Sequence, residues 1–136
     1  NVHAGARAHD EFVERLAGCG AVVGPMAGGR MRSAGQQTFL NAMALGKPVV
    51  ISDAVGVREY VTDREHALVV PTGDAGAMHR ALAWVLDPAN RREVDAMIER
   101  ARALVDERFR FSHYEGRLMA VVDQHLELMG RPAPPA

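Results

Sequence analysis

The chain has 136 residues, 48% hydrophobic and 24% charged, which suits one globular domain burying roughly two thirds of its unfolded surface and excludes a disordered or fibrous chain. Sixteen basic against seventeen acidic side chains leave a net charge of -1, so no global field draws the chain to nucleic acid or to a membrane surface, and any anion must be held by local geometry. The single cysteine, Cys19, excludes an internal disulfide and a cysteine-based zinc site; it reads as a packing residue and fits a reducing, cytoplasmic compartment. No run approaches the roughly 18 apolar residues of a membrane helix, and the first residues carry no signal-peptide pattern. The chain starts at Asn1 within sequence already patterned like structure, so it reads as an excerpt of a longer polypeptide.

In chain order, residues 1–6 form a short strand candidate. Residues 9–18 read as a helix in which Asp10 is able to cap and Phe12, Val13, Leu16 and Ala17 share an apolar face. Gly18 and Gly20 end it, and residues 21–23 start a second strand that runs into Gly24-Pro25. Residues 26–35 show no period but hold Gly28, Gly29, Gly35, Arg30 and Arg32, the composition of a loop. Helical spacing returns over 36–45, with Phe39, Leu40, Met43 and Ala44 on one face and Gly46 as C-cap. Residues 49–52 are a β-branched run, as for a strand buried on both faces.

A loop over 53–56 and one helical turn over 57–61 lead to a strand at 67–70 stopped by Pro71. Gly73-Asp74 opens a helix at Ala75 whose Met78, Leu82, Val85 and Leu86 share a face, and Asp87-Pro88 closes it. Two long amphipathic helices follow, over 91–108 and 112–129, and read as a cover. Tyr114, Leu118, Val121, Val122, Leu126 and Met129 form the stripe of the second. Strands alternating with helices predict an α/β, Rossmann-like domain over 1–130, a mostly parallel sheet of about four strands with flanking helices and two C-terminal helices, and a flexible tail over 131–136.

Ligands of an open parallel sheet collect beyond the carboxyl ends of its strands, where loops enter helix N-termini. The 24–35 loop enters a helix whose first amides, around Gly35, Gln36, Gln37 and Thr38, lack intrahelical acceptors and sit at the positive end of the dipole, suited to a phosphate. Arg30 and Arg32 offer a fork to phosphate oxygens, or are plain surface charges. Ser33 serves equally as N-cap or as ligand contact, and Gln37 with Asn41 face one cleft or form the helix's wet side. The six histidines show no metal spacing, and no serine sits in a nucleophile elbow. Glu59 and Asp63 read as exposed charges, and Trp84 and the methionines as core.

Residues 33–74, SAGQQTFLNAMALGKPVVISDAVGVREYVTDREHALVVPTGD, resemble the C-terminal, donor-binding half of GT-B glycosyltransferases of the retaining family 4. The family pattern is a glutamate, a Gly-aromatic-Gly loop, a second glutamate, Ala-Met-Ala, a Gly-x-Pro-Val-Val strand and a strand ending in Pro-x-Gly-Asp. The segment 41–50, NAMALGKPVV, and the segment 69–74, VVPTGD, carry the match. The resemblance implies transfer of a sugar from a nucleoside diphosphate sugar, with no metal or further cofactor, no nucleic acid partner, and an acceptor domain elsewhere in the same polypeptide. It implies donor contacts from Arg30, Arg32, Ser33, Gly35, Gln36, Gln37, Thr38 and Asn41, and a second wall from Asp53 and Gly56. Ser33 and Asn41 stand where the family has its two glutamates, the first for the sugar and the second for the ribose. A non-catalytic module of the same fold is the alternative.

Overall fold

The computed structural model describes residues 9–26 and 35–130. They form helix α1 (His9–Gly18), strand β1 (Val22–Gly24), helix α2 (Gln36–Ala44), strand β2 (Val49–Ser52), strand β3 (Leu68–Val70), helix α3 (Ala75–Leu86), helix α4 (Arg91–Arg108) and helix α5 (Phe111–Gly130). Two 3-10 turns, Val57–Glu59 and Pro88–Asn90, complete the order. The strand expected at residues 1–6 and the tail at 131–136 lie outside the described residues, which hold three strands rather than four.

The sheet runs β1-β2-β3 with both pairings parallel, Val22 opposite Val49 and Val50 opposite Leu68. All four residues of β2 are buried, as a central strand covered on both faces requires. One apolar cluster joins Phe39, Ala42 and Met43 of α2 to Val49 and Ile51; the other joins Val50, Leu68 and Val70 to Val85 of α3. Helix α4 serves both: Val94 and Met97 pack into the second cluster, Ala101 and Val105 into the first. Burial of each such side chain stabilises the fold by about 1.5–3 kcal/mol before entropy is counted.

Local chemistry sets the ends. At the close of α2, Gly46 adopts φ 68°, its amide donates to Met43 O at 3.0 Å, and Lys47 N donates to Ala42 O at 2.9 Å, a Schellman motif that needs the glycine. Gly24 lies so close to β2 that a Cβ there would come within 3.2 Å of Ile51 Cγ1. Helix α3 starts where the Asp74 carboxylate accepts the Ala77 amide at 2.8 Å.

The structure corrects several expectations. Asp10 lies inside the first turn of α1 and is not its cap. Leu86, expected on the inner face of α3, is 56% exposed because Val85 takes the core position and the helix ends at the next residue. Helix α4 does cover the sheet, whereas Tyr114, Leu118, Val121, Val122 and Met129 of α5 are all exposed, so the stripe expected as a second cover is not buried against the sheet. Met119 and Met129 are therefore surface, not core.

Candidate functional site

The carboxyl ends of the three strands converge at Gly24, Ser52 and Val70, with the first turn of α2 beside β1 and β2. Helix α2 has Gly35 as its N-cap at φ 83°, with no side-chain cap and no acidic residue in its first turn; its first backbone bond is Phe39 N to Gly35 O at 3.1 Å. Among the described residues, the amides of Gln36, Gln37 and Thr38 are thus left at the positive end of the helix dipole without a capping carboxylate. Helix α3 is the opposite case, since Asp74 already neutralises its start.

Asn41 lies one turn further along α2. Its Nδ2 is buried and makes no hydrogen bond among the described residues, which costs on the order of 1–3 kcal/mol for an amide donor removed from water. Gln37, on the same side of the helix, is exposed, and Gln36 and Thr38 are half-buried. Gly35 and Thr38 come together, lining a cavity of about 200 Å³ with Gly24, Met26, Phe39 and Ile51. A second cavity of about 210 Å³ lies between Pro25, Met26, Ser52, Asp74 and Met78. Arg30, Arg32 and Ser33, with Gly28 and Gly29, lie outside the described residues.

The expected second wall is built differently from a free carboxylate. Asp53 donates its amide to Val70 O at 2.7 Å, and its carbonyl accepts the Thr72 hydroxyl at 2.8 Å. Its carboxylate is held by Arg58, with Nε to Oδ1 at 3.0 Å and Nη2 to Oδ2 at 2.9 Å. Hydrogen bonding from the guanidinium holds the Asp53 carboxyl below its usual range, against an opposing desolvation, and raises Arg58 in turn. Gly56 turns the chain at φ 85° into the 3-10 turn, where Glu59 N donates to its carbonyl at 3.2 Å.

Two working residues carry little signal in the sequence. Ser52 is 2% exposed, and its hydroxyl accepts the Met26 amide at 3.0 Å, tying the exit of β1 to the end of β2; the only hint is a polar residue closing an apolar run. Asp63, expected as a surface charge, accepts the Val69 amide at 2.8 Å and closes the outer side of β3. A further hollow, about 390 Å³ between Cys19, Lys47, Pro48, Asp87 and Arg91, lies at the opposite, amino-terminal edge of the sheet, where helix C-termini point their negative ends. Among the described residues, no group of three His, Cys, Asp or Glu is placed to hold a metal ion, and no helix is long and apolar enough to cross a membrane.

No curated protein matches the chain. Among solved structures, the Anabaena protein Alr3699/HepE, crystallised in complex with UDP, is similar, with a TM-score of 0.64 and 19% identity over 82% of this chain. The match covers 29% of that protein's chain, so these 136 residues span less than a third of its length. That likeness is one of fold, the α/β architecture expected of the donor half of a GT-B enzyme. The family model for glycosyl transferases group 1 matches residues 2–88. The chain belongs to the group 1 glycosyl transferases.

Proposed function

We propose that this chain is the donor-binding part of a retaining glycosyltransferase, one that takes a sugar from a nucleoside diphosphate sugar. The observation that carries the reading is the uncapped first turn of α2 at the carboxyl ends of the parallel strands, beside a strand-end cavity and one turn from an unpartnered Asn41 amide. The UDP held by the similar Anabaena structure supports a uridine diphosphate as the probe to try first.

In this reading the amides of Gln36, Gln37 and Thr38, with Arg30 and Arg32, receive the diphosphate. When the bond from the anomeric carbon to the phosphate oxygen breaks, the electron pair stays with the departing diphosphate, and these donors stabilise its charge. An acceptor hydroxyl forms the new bond on the same face of the sugar and passes its proton to the departing phosphate oxygen. Asn41 donates Nδ2–H to a ribose hydroxyl oxygen, and Ser33, Gln36 and Gln37 contact the sugar or its phosphate. No step in this scheme draws on a metal. The acceptor is bound by another part of the polypeptide, and a cytoplasmic location goes with soluble nucleotide sugars.

A second reading, a non-catalytic binding module of the same fold, is favoured by one pair of facts: Asn41 is neutral, and the Asp53 carboxylate is already committed to Arg58. Calorimetry of the full-length protein with UDP and UDP-sugars, followed by a transfer or hydrolysis assay, separates them. Binding with turnover supports the enzyme, binding without turnover supports the module, and absence of binding to any nucleoside diphosphate defeats both.

A further inference from the structure

The parallel ladder between β1 and β2 ends in an exchange of acceptors. Val22 N donates to Pro48 O at 2.9 Å, and Gly24 stands opposite Ile51, so the register carries the alternate amides forward until that of Met26 meets the Ser52 carbonyl. That carbonyl is already taken, because it accepts the Ala54 amide at 2.8 Å where the chain turns out of β2. The Met26 amide donates instead to the Ser52 hydroxyl, at 3.0 Å. The side chain replaces its own carbonyl as the last rung, and the two strand ends part without leaving the amide unpaired.

A valine or isoleucine at position 52 would continue the apolar run of β2 but offers no acceptor. Ser52, at 2% exposure, is the only buried polar residue among the described ones, and its hydrogen bond is what offsets the burial of its hydroxyl. The residue it holds is shared by both strand-end cavities. Met26 lines the one of about 200 Å³ with Gly35 and Thr38 at the start of α2, and the one of about 210 Å³ with Ser52, Asp74 and Met78. A shift of the Met26 backbone therefore reshapes both.

We infer that Ser52 is a positioning residue for the donor site: its hydroxyl fixes the Met26 backbone, and Met26 forms the wall beside the first amides of α2. Ser52 sets the shape of the pocket without touching the ligand. This role rests on the reading of that pocket as a nucleoside diphosphate site.

The test compares Ser52→Ala, Ser52→Thr and Val94→Ala with the parent, in the full-length polypeptide, by calorimetry with UDP and by hydrogen exchange of residues 22–26. Ser52→Ala should weaken UDP binding about fivefold and speed exchange at Met26 about tenfold. Ser52→Thr should bring both back to within about twofold, since it keeps the hydroxyl and the adjacent cavity has room for its methyl group. Val94→Ala opens a gap in the core at the far edge of the sheet, so it should lower the melting temperature and leave UDP affinity within about twofold of the parent. Equal UDP affinity in Ser52→Ala and the parent, an equal loss in Val94→Ala, no rescue by Ser52→Thr, or unchanged exchange at Met26 overturns the proposal. A parent that binds no nucleoside diphosphate overturns the donor reading and this role with it.

Discussion

Phe39, in the first turn of α2, meets the ring of Tyr60 edge-on, with centroids 5.8 Å apart and planes at 76°. Tyr60 lies in turn 5.3 Å from the ring of Phe109, at the end of α4. The helix start proposed to receive the diphosphate is therefore braced from the 3-10 turn and from α4. Tyr60→Ala is expected to lower unfolding free energy by about 2 kcal/mol, through lost burial and ring contact, while Tyr60→Phe keeps most of it. Denaturant unfolding gives the first number. Hydrogen exchange gives the second check: the amides of α2 should exchange faster in Tyr60→Ala than in a core variant of equal stability.

Asn41 separates stability from binding. Asn41→Leu removes a buried donor that has no partner, so the unliganded protein should be as stable as the parent or more so. Affinity for UDP should fall about fivefold to tenfold, the worth of one hydrogen bond. A loss of both together would mean that Asn41 supports the fold rather than the ligand. Thermal unfolding and calorimetry on one protein preparation decide it.

The Asp53–Arg58 pair sets an acid limit. Because the folded-state carboxyl is held below its usual value, its contribution is fully present above the unfolded value of about pH 4 and is lost as pH falls through the lower folded value. Asp53→Asn should therefore melt lower than the parent at neutral pH, and the gap should close only below about pH 4. The pair is solvent-exposed, so the gap is small and shrinks with salt. A gap independent of pH would contradict this assignment.

Asp63 guards the edge of the sheet. Asp63→Ala uncovers the Val69 amide on a terminal strand and should cost about 1–2 kcal/mol, with a rise in self-association visible by light scattering. A variant that is as stable and as monomeric as the parent would show that water replaces the carboxylate at no cost.

The contrast between Asp63 and Asn41 shows what the sequence made legible. Elements with strong periodicity were readable nearly to the residue: β2 at Val49–Ser52 and α4 at Arg91–Arg108 match the expected limits, because their burial follows their spacing. Strand β1 is shifted by one residue and α2 ends one residue early, where glycines and caps blur the boundary. The roles of Asp63, Ser52 and Arg58 depend on contacts that no local pattern encodes; in the sequence Asp63 reads as an exposed charge and Ser52 as the end of a β-branched run. The stripe of α5 was visible, but a stripe says only that a face is apolar; it does not name what lies against it. For the site, the start of α2 at Gln36 and its free first amides were expected from the glycine and helix signals, but Ser33 was an equal candidate for the cap, a place that Gly35 takes. The buried, unpartnered state of Asn41 was not expected.

The most direct test of the account is calorimetry with UDP on Gln37→Glu. Gln37 is exposed in the first turn of α2, so a carboxylate there interacts well with the helix dipole and should hold or slightly raise stability, by about 0.3–1 kcal/mol. The same charge placed among the amides that receive the diphosphate should weaken UDP binding about tenfold or more. If the parent binds UDP and Gln37→Glu binds it equally well, the diphosphate does not sit at the start of α2, and the central claim is wrong.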